Sequence, residues 1–483
     1  MVGGTGAERF VRASKSATAK EPGKRCRVEP KGEGRAGRAR VKRVGLLGPW
    51  TQRSRRLAVM GVTYLEHTLN NGLRIIAEVD PAAHSAAAGY FVRTGARDEQ
   101  SGVMGVSHFL EHMMFKGSAR RTTEEINASF DRIGARNNAY TSHEMTCFHA
   151  TVLPERLLGD GGALEIIGDM LRPALREADF ATEKNVILEE IAMYQDNPFW
   201  VLYERTAEVH YGARPDGDES AATIEAGMHA LGHRVLGTTG SIKSLSVAQM
   251  REYFARRYSA DNTVVALAGN VDFDQTVKQI EAQSASWERT GAARGLTEPA
   301  YGDRAVHLRS AKVNRGYALM LSPAPSATDP RRYAATLLSQ ALGGPDNSRL
   351  HWALIETGIA ESAETGFDPR DSAGEMLVFV SCDPERLDEA WSIAEREIEA
   401  AGRTITDADL ERIRAKAATG VTIAGERPSG RMQRLGRQWM YRNEYTTLEQ
   451  ELERINAVTL GDVRSVLAEF PFRPRTVGRL TPA

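Results

Sequence analysis

The chain of 483 residues is too long for one compact core and suits two to four domains. At 41% hydrophobic and 26% charged residues it reads as a folded protein, and no run nears the roughly 18 apolar residues of a bilayer span. The net charge of −1 divides unevenly: residues 1–60 carry 16 Lys and Arg against four acids, a balance of +12, which leaves −13 on the remainder, a poor surface for nucleic acid.

Three cysteines (Cys26, Cys147, Cys382) lie far apart without a CxxC, which excludes a disulfide scaffold or a zinc ribbon and fits a reducing compartment. Residues 1–60 are rich in Gly, Arg, Ala and Lys, show no periodicity and are expected to lie outside the fold. Three readings fit them: a basic matrix-targeting presequence, a disordered arm for nucleic acid, or a stretch upstream of a true start at Met60. The abrupt onset of patterning after Met60 favours the last.

From Thr63 the apolar runs flank Asn70-Asn71-Gly72, a hairpin turn signal, and a strand follows at Ala86–Arg93. Helical spacing covers Val106–Lys116 and Thr123–Ile133, the latter with a threonine N-cap. Thr146–Val152 alternates as a strand. Arg156–Leu171 and Asp179–Gln195 read as helices, the second stopping at Asp196-Asn197-Pro198. Val247–Tyr258 is a further helix and Thr263–Ala268 a buried strand. Periodicity lapses over 284–303, which reads as a linker. The second half restarts with a strand at Tyr317–Leu321, helices at Arg331–Leu342 and Ser348–Glu356, a strand at Met376–Val380, and helices at Pro384–Ala400 and Asp407–Ala418. The expected fold class is α+β, with boundaries of 61–283 for the first half, 284–303 for the linker and 304–483 for the second half. The similar element order suggests duplication, without a residue-level repeat.

The sharpest signal is His108-Phe109-Leu110-Glu111-His112. On a helix the two imidazoles share a face and can reach one metal ion, while Glu111 stands beside that face as a proton acceptor rather than a ligand. This is the reversed HxxEH form of the zinc peptidase motif. It arises by chance in on the order of one such chain in a hundred. A solvated helix face is the bland alternative, but Phe109, Leu110, Met113, Met114 and Phe115 would then bury three polar side chains without a partner. A third protein ligand is required. Glu183 and Glu190 share a face of the later helix, with Glu189 rotated about 100° away and Val186 and Ile187 marking the buried side.

His108–His112, Phe115-Lys116-Gly117, Asn138-Ala139-Tyr140-Thr141-Ser142 and the Glu183…Glu190 helix together resemble the pitrilysin-type metallopeptidases. Within them they look most like the mitochondrial processing peptidase group and its bacterial relatives. The resemblance spans nearly everything from about residue 63 onward. It implies two homologous halves, each a mainly antiparallel sheet packed with helices, together forming half of a clam-shell chamber. It implies one Zn2+ per chain held by His108, His112 and Glu190, with Glu189 as the fallback ligand, Glu183 orienting the site and Glu111 as general base. It also implies β-augmentation of a substrate peptide on the edge at Asn138, Ala139 and Thr141.

Two departures qualify the likeness. Where the family carries an Arg and a Tyr that stabilise the oxyanion, this chain has Ile355 and Glu361, neither of which donates a hydrogen bond at pH 7. Residues 213–229 form a longer, acidic insertion, most simply a tolerated surface loop. His143, His149, His210, His229 and His233 read as surface or packing residues, and Cys147 as a buried, inert thiol. The expectation is therefore a cytoplasmic zinc endopeptidase for short or unfolded peptides, or a matrix enzyme if residues 1–60 are a presequence. It would be the zinc-bearing subunit of a heterodimer whose paralogous partner supplies the Arg/Tyr pair, with no nucleic-acid or membrane partner. The rival is a non-catalytic core-type subunit of the same fold.

Overall fold

A computed structural model describes residues 56–59 and 61–483. The readings offered for residues 1–55 and Met60 lie outside the described residues. In the first half, β1 (Arg56–Val59), β2 (Val62–Thr68), β3 (Arg74–Val79) and β4 (Ala86–Val92) lead into α1 (Val106–Met114) and α2 (Thr123–Arg132). Next come β5 (Arg136–Thr141), β6 (Thr146–Val152), α3 (Ala163–Met170), α4 (Glu177–Gln195) and α5 (Pro198–His210). The half closes with α6 (Thr239–Ser244), α7 (Val247–Arg257), β7 (Thr263–Gly269) and α8 (Phe273–Gln283). The second half begins with β8 (Arg304–Ser310), β9 (Gly316–Pro323), α9 (Arg332–Gly343), β10 (Ser362–Pro369) and β11 (Gly374–Cys382). It continues through α10 (Leu387–Thr404), α11 (Asp407–Gly425), α12 (Pro428–Arg442), α13 (Leu448–Asn456), α14 (Leu460–Glu469) and β12 (Thr476–Pro482).

Each half is built on a mainly antiparallel sheet, as the α+β reading required. The first has seven strands in the order β1-β2-β3-β7-β4-β6-β5, with only β3 and β7 parallel; the second has five, β10-β11-β9-β12-β8, with only β12 and β8 parallel. The Asn-Gly signal is realised between β2 and β3: Gly72 takes a φ of +90°, and Leu73 N–H donates to Asn71 Oδ1 at 3.2 Å. β1 pairs with β2 from Arg56↔Leu65 to Val59↔Val62, so the fold begins inside the segment expected to lie outside it.

Local chemistry explains the other differences. The helix expected over Arg156–Leu171 begins only at Ala163, because Gly159 and Gly161 adopt left-handed φ of +88° and +72°. The stop expected at Asp196-Asn197-Pro198 is present, since α4 ends at Gln195, and the same residues also start the next helix. Asn197 caps α5 by accepting from Phe199 N–H at 3.0 Å, and Pro198 occupies the first helical position, where it loses no hydrogen bond. Ser348–Glu356 forms a helical turn with a π segment at His351–Ile355 rather than a regular helix. No described helix is long and apolar enough to cross a membrane.

The halves exchange helices. α5, from the first half, packs Leu202, Tyr203 and Ala207 on Leu319, Leu321 and Leu480 of the second sheet. α12, from the second half, packs Met432, Leu435 and Trp439 on Ala87, Phe91 and Ala266 of the first. Consequently β4 is buried on both faces along its whole length. The segment read as a linker has no regular structure, yet Arg294 within it is buried between Asp98 of the first half (2.7 Å) and Asp371 of the second (3.4 Å). Nearby, Arg97 pairs with Glu144 at 2.6 Å and donates to Asp371 O at 2.6 Å.

Close helix-on-sheet contact depends on Gly436, where a Cβ would overlap the ring of Phe91. Gly436→Ala is expected to destabilise the chain by about 1–3 kcal/mol in chemical denaturation. Gly402→Ala, where the nearest atom is an ordinary 3.5 Å away inside α10, is expected to stabilise it by about 0.5–1 kcal/mol. Equal signs for the two would contradict the packing account.

Candidate metal centre

Helix α1 opens at Gly105, whose φ of +89° and close approach to Leu236 O (2.6 Å from an added Cβ) leave no room for another residue. Val106, Phe109, Leu110 and Met113 anchor the helix in the first core, which turns His108 and His112 toward α4. Their rings meet edge-on at 4.7 Å between centroids.

On α4, Glu190 Oε2 lies 3.7 Å from His108 Nε2 and 3.6 Å from His112 Nε2. These separations are too long for hydrogen bonds. They suit three donors around one tetrahedral zinc, whose ligands at about 2.0–2.1 Å sit about 3.3–3.5 Å from one another. Among the described residues, His108, His112 and Glu190 are the one group of three or more His, Cys, Asp or Glu whose donor atoms converge, all within 4.8 Å. Burial, with a smaller push from the neighbouring His112, holds His108 down to about 3, so its imidazole stays neutral with a lone pair free to ligate. Its Nδ1 is buried without a hydrogen bond. The donor set therefore fits zinc.

Glu183 stands behind His112, accepting from Nδ1 at 2.8 Å while its other oxygen meets Lys116 Nζ at 2.6 Å. Burial alone would raise this carboxyl, but the His112 and Lys116 contacts outweigh it and hold it below the ordinary range. For His112, burial pulls down, yet the Glu183 hydrogen bond and the charges of Glu190 and Glu111 carry it upward. The bond at Nδ1 leaves Nε2 as the ligating atom. Burial, the largest influence on Glu190, raises its carboxyl.

Glu189 is exposed on α4 and takes no part, so the fallback ligand is set aside. Val186, read as marking the buried side, is 45% exposed, whereas Ile187 is fully buried. Helix α4 presents a narrower buried stripe than its sequence suggested, because Glu183 occupies part of it.

Glu111 lies beside the ligand group, with Thr141 Oγ1 donating to its Oε2 at 2.6 Å. Thr141 ends β5, the edge strand of the first sheet, which among the described residues pairs only with β6. Asn138 and Ala139 lie along this strand, outside the ligand group; Asn138 is exposed, and its Oδ1 accepts from Ala139 N–H at 2.9 Å. Two contacts escaped the sequence reading. Lys116 falls one helical turn after His112, a spacing that could have flagged it, whereas the Thr141–Glu111 bond joins residues 30 apart and left no local signal.

Ile355 packs against the second core, and Glu361 is ion-paired with Arg315. His210 Nδ1 bonds Thr476 Oγ1 at 3.1 Å and His233 Nδ1 bonds Ala96 O at 2.8 Å. Neither joins a metal cluster among the described residues. Cys147 is fully buried, its thiol pushed up to about 12 by burial. The 213–229 insertion is a run of turns tied down by Arg214 and Glu225 at 3.0 Å.

Residues 74–217 match the family described as insulinase (peptidase family M16), and residues 244–417 the peptidase M16 inactive domain. The chain is 32% identical over 413 residues to an uncharacterized zinc protease of Streptomyces coelicolor, covering 83% of this chain and 85% of the relative. It is 29% identical over 407 residues to the uncharacterized zinc protease YmxG of Bacillus subtilis, covering 84% and 95%. Among solved structures, a protease from Helicobacter pylori superposes with a TM-score of 0.78 at 19% identity, covering 87% of this chain and 99% of that one. A chain of complex III2 from Candida albicans superposes at 0.70 and 18%, covering 86% and 95%. At these identities the structural likenesses speak for the fold alone.

Loss of the Glu183 hydrogen bond should loosen the ligand it orients. Glu183→Gln is expected to lower zinc affinity about 10–100-fold in chelator competition. Glu189→Gln should leave it unchanged, and a reversal of the two would reassign the carboxylate roles on α4.

Proposed function

The chain belongs to peptidase family M16, and from that premise we propose that it acts as a zinc-dependent endopeptidase on short or unfolded peptides, as the zinc-bearing subunit beside a paralogous chain. The observation that carries the reading is the convergence of His108, His112 and Glu190, with a further carboxylate, Glu111, outside that group yet close enough for its charge to act on His112. Bound there, zinc would supply Lewis-acid chemistry, lowering the pKa of a water toward neutrality and polarising the scissile carbonyl.

The protein's own residues divide the remaining work. Glu111 takes the proton from the attacking water and returns it to the leaving amine, a role suited to a carboxylate kept in place by Thr141. The unpaired side of β5 offers backbone groups to an extended peptide. Docking there would displace the Asn138 side chain from Ala139 N–H and bring the chain past Thr141 to Glu111. Because a strand-like backbone is what this edge recognises, chains without stable tertiary structure are the natural substrates.

The oxyanion side is where this chain falls short. With Ile355 packed away and Glu361 held by Arg315, the positions that resemble the family's Arg and Tyr carry no donor for a developing oxyanion. A paralogous partner bearing that pair would complete the site. The alternative of a structural subunit shares the fold, but the complete ligand set and its orienting Glu183 weigh against it.

Glu111→Gln separates the two readings: one zinc per chain should persist by metal analysis while peptide turnover falls about 10²–10⁴-fold. A variant with unaltered turnover would remove the enzymatic reading. For the partnership, the purified chain alone is expected to cleave peptides poorly and to gain at least about tenfold when a paralogue carrying the Arg/Tyr pair is added. Brisk cleavage by the lone chain would refute the heterodimer.

A further inference from the structure

We propose that the second half holds a separate binding site, in the cavity between α9 and α11, for a carboxylate carried on an apolar body. The cavity encloses about 380 Å³, room for a medium-chain acid or the end of a peptide. It occupies the position in the second half that the metal centre occupies in the first. The order β4, α1, α2, β5, β6, α3, α4, α5 is repeated as β9, α9, the turn at His351–Ile355, β10, β11, α10, α11, α12. Both α4 and α11 have 19 residues; counted from their starts, Glu183 and Glu190 of α4 correspond to Ile413 and Gly420 of α11. Both of those residues line the cavity. The duplicated pocket has thus lost its metal donors and kept its space.

The lining has a distinct chemistry of its own. Leu337, Phe367, Ile413, Val421 and Ile455 form apolar walls. Four cations, Arg332, Arg412, Lys416 and Arg442, face two acids, Asp346 and Glu451. Asp346 is exposed, and Glu451 is already engaged by Gln438 at 3.4 Å and Arg434 at 3.8 Å. Arg332 donates to Asp329 O and Tyr333 Oη, not to a carboxylate. Arg412 is shared between Asn347 O at 2.7 Å and Asp409 at 3.6 Å. Lys416 makes no hydrogen bond or ion pair with any described residue. Arg442 Nε is buried without a hydrogen bond, 3.4 Å from Glu444 on the exposed turn beyond. Burial, and next the charge of Arg332, hold its guanidinium below the ordinary range, the direction that an incoming anion would reverse. The Arg442 guanidinium close to Arg332, with the Lys416 ammonium on the same lining and apolar walls around them, is complementary to a carboxylate with a hydrocarbon body.

Two sources share that chemistry: a free alkanoic acid and the C-terminus of an apolar peptide. Decanoate and N-acetyl-Leu-Leu are titrated separately into the full-length chain by calorimetry, with N-acetyl-Leu-Leu amide as the uncharged control. At least one carboxylate should bind, at least tenfold more tightly than the amide, and with the same affinity when phenanthroline is present. Lys416→Glu, an exposed change that spares the core, should weaken binding at least tenfold, and Arg442→Gln at least as much. Whichever acid binds identifies the source. Should Arg442→Gln fail to fold, Lys416→Glu decides alone. The site is overturned if neither acid binds, if the amide binds equally, if Lys416→Glu has no effect, or if phenanthroline abolishes binding and so assigns the ligand to the metal centre.

Discussion

The centre depends on one buried carboxylate. Glu183 is almost fully withdrawn from water, a position that costs several kcal/mol for an unpaired charge. It is tolerable only because His112 and Lys116, one turn apart on and just beyond α1, both reach it. The same contacts that satisfy the carboxylate dock α1 against α4 and fix which nitrogen of His112 faces Glu190. Folding and ligand geometry are therefore set by a single arrangement rather than by two independent ones.

A second constraint acts at larger scale. Each sheet is closed on one face by a helix from the other half, and the aperiodic segment between them inserts Arg294 among Asp98, Asp371 and the backbone of Glu144. Buried charges of this kind add little net stability, since desolvation offsets most of their attraction, but an unmatched arrangement would be strongly disfavoured. They consequently specify how the halves meet. The Thr146–Thr94 bond and the Ala96–Ser142 backbone pairing hold the turn after β5 near the same cluster. The open edge beside Glu111 is thus supported by the junction rather than projecting from it.

The two halves show how one architecture can carry different chemistry. In α4 the two positions are acids, Glu190 in the candidate ligand group and Glu183 behind His112; in α11 the corresponding positions are Ile413 and Gly420, and most of the charged side chains lining the cavity there are cationic. Retaining the layer order while replacing the donors removes metal affinity without disturbing the core, because helix packing depends on the apolar stripe and not on the polar groups beside it.

The HxxEH motif was legible in the sequence because helical periodicity places residues four apart on one face whatever surrounds them. The Asn-Gly turn, the central strands and the α+β class were legible for the same reason: they follow from local backbone preference and hydrophobic spacing. Glu190 was not separable from Glu183 and Glu189 by periodicity alone; resemblance selected it, and only the docking angle of α4 on α1 turns it, and not exposed Glu189, toward the imidazoles. The end of α4 at Asp196-Asn197-Pro198 was legible, but the start of α5 at the same residues was not, because it rests on the cap that Asn197 provides once the chain turns. The exchange of α5 and α12, the Arg294 junction and the Thr141–Glu111 bond join residues far apart in the chain, and such contacts leave no periodic trace because they exist only once the layers have packed.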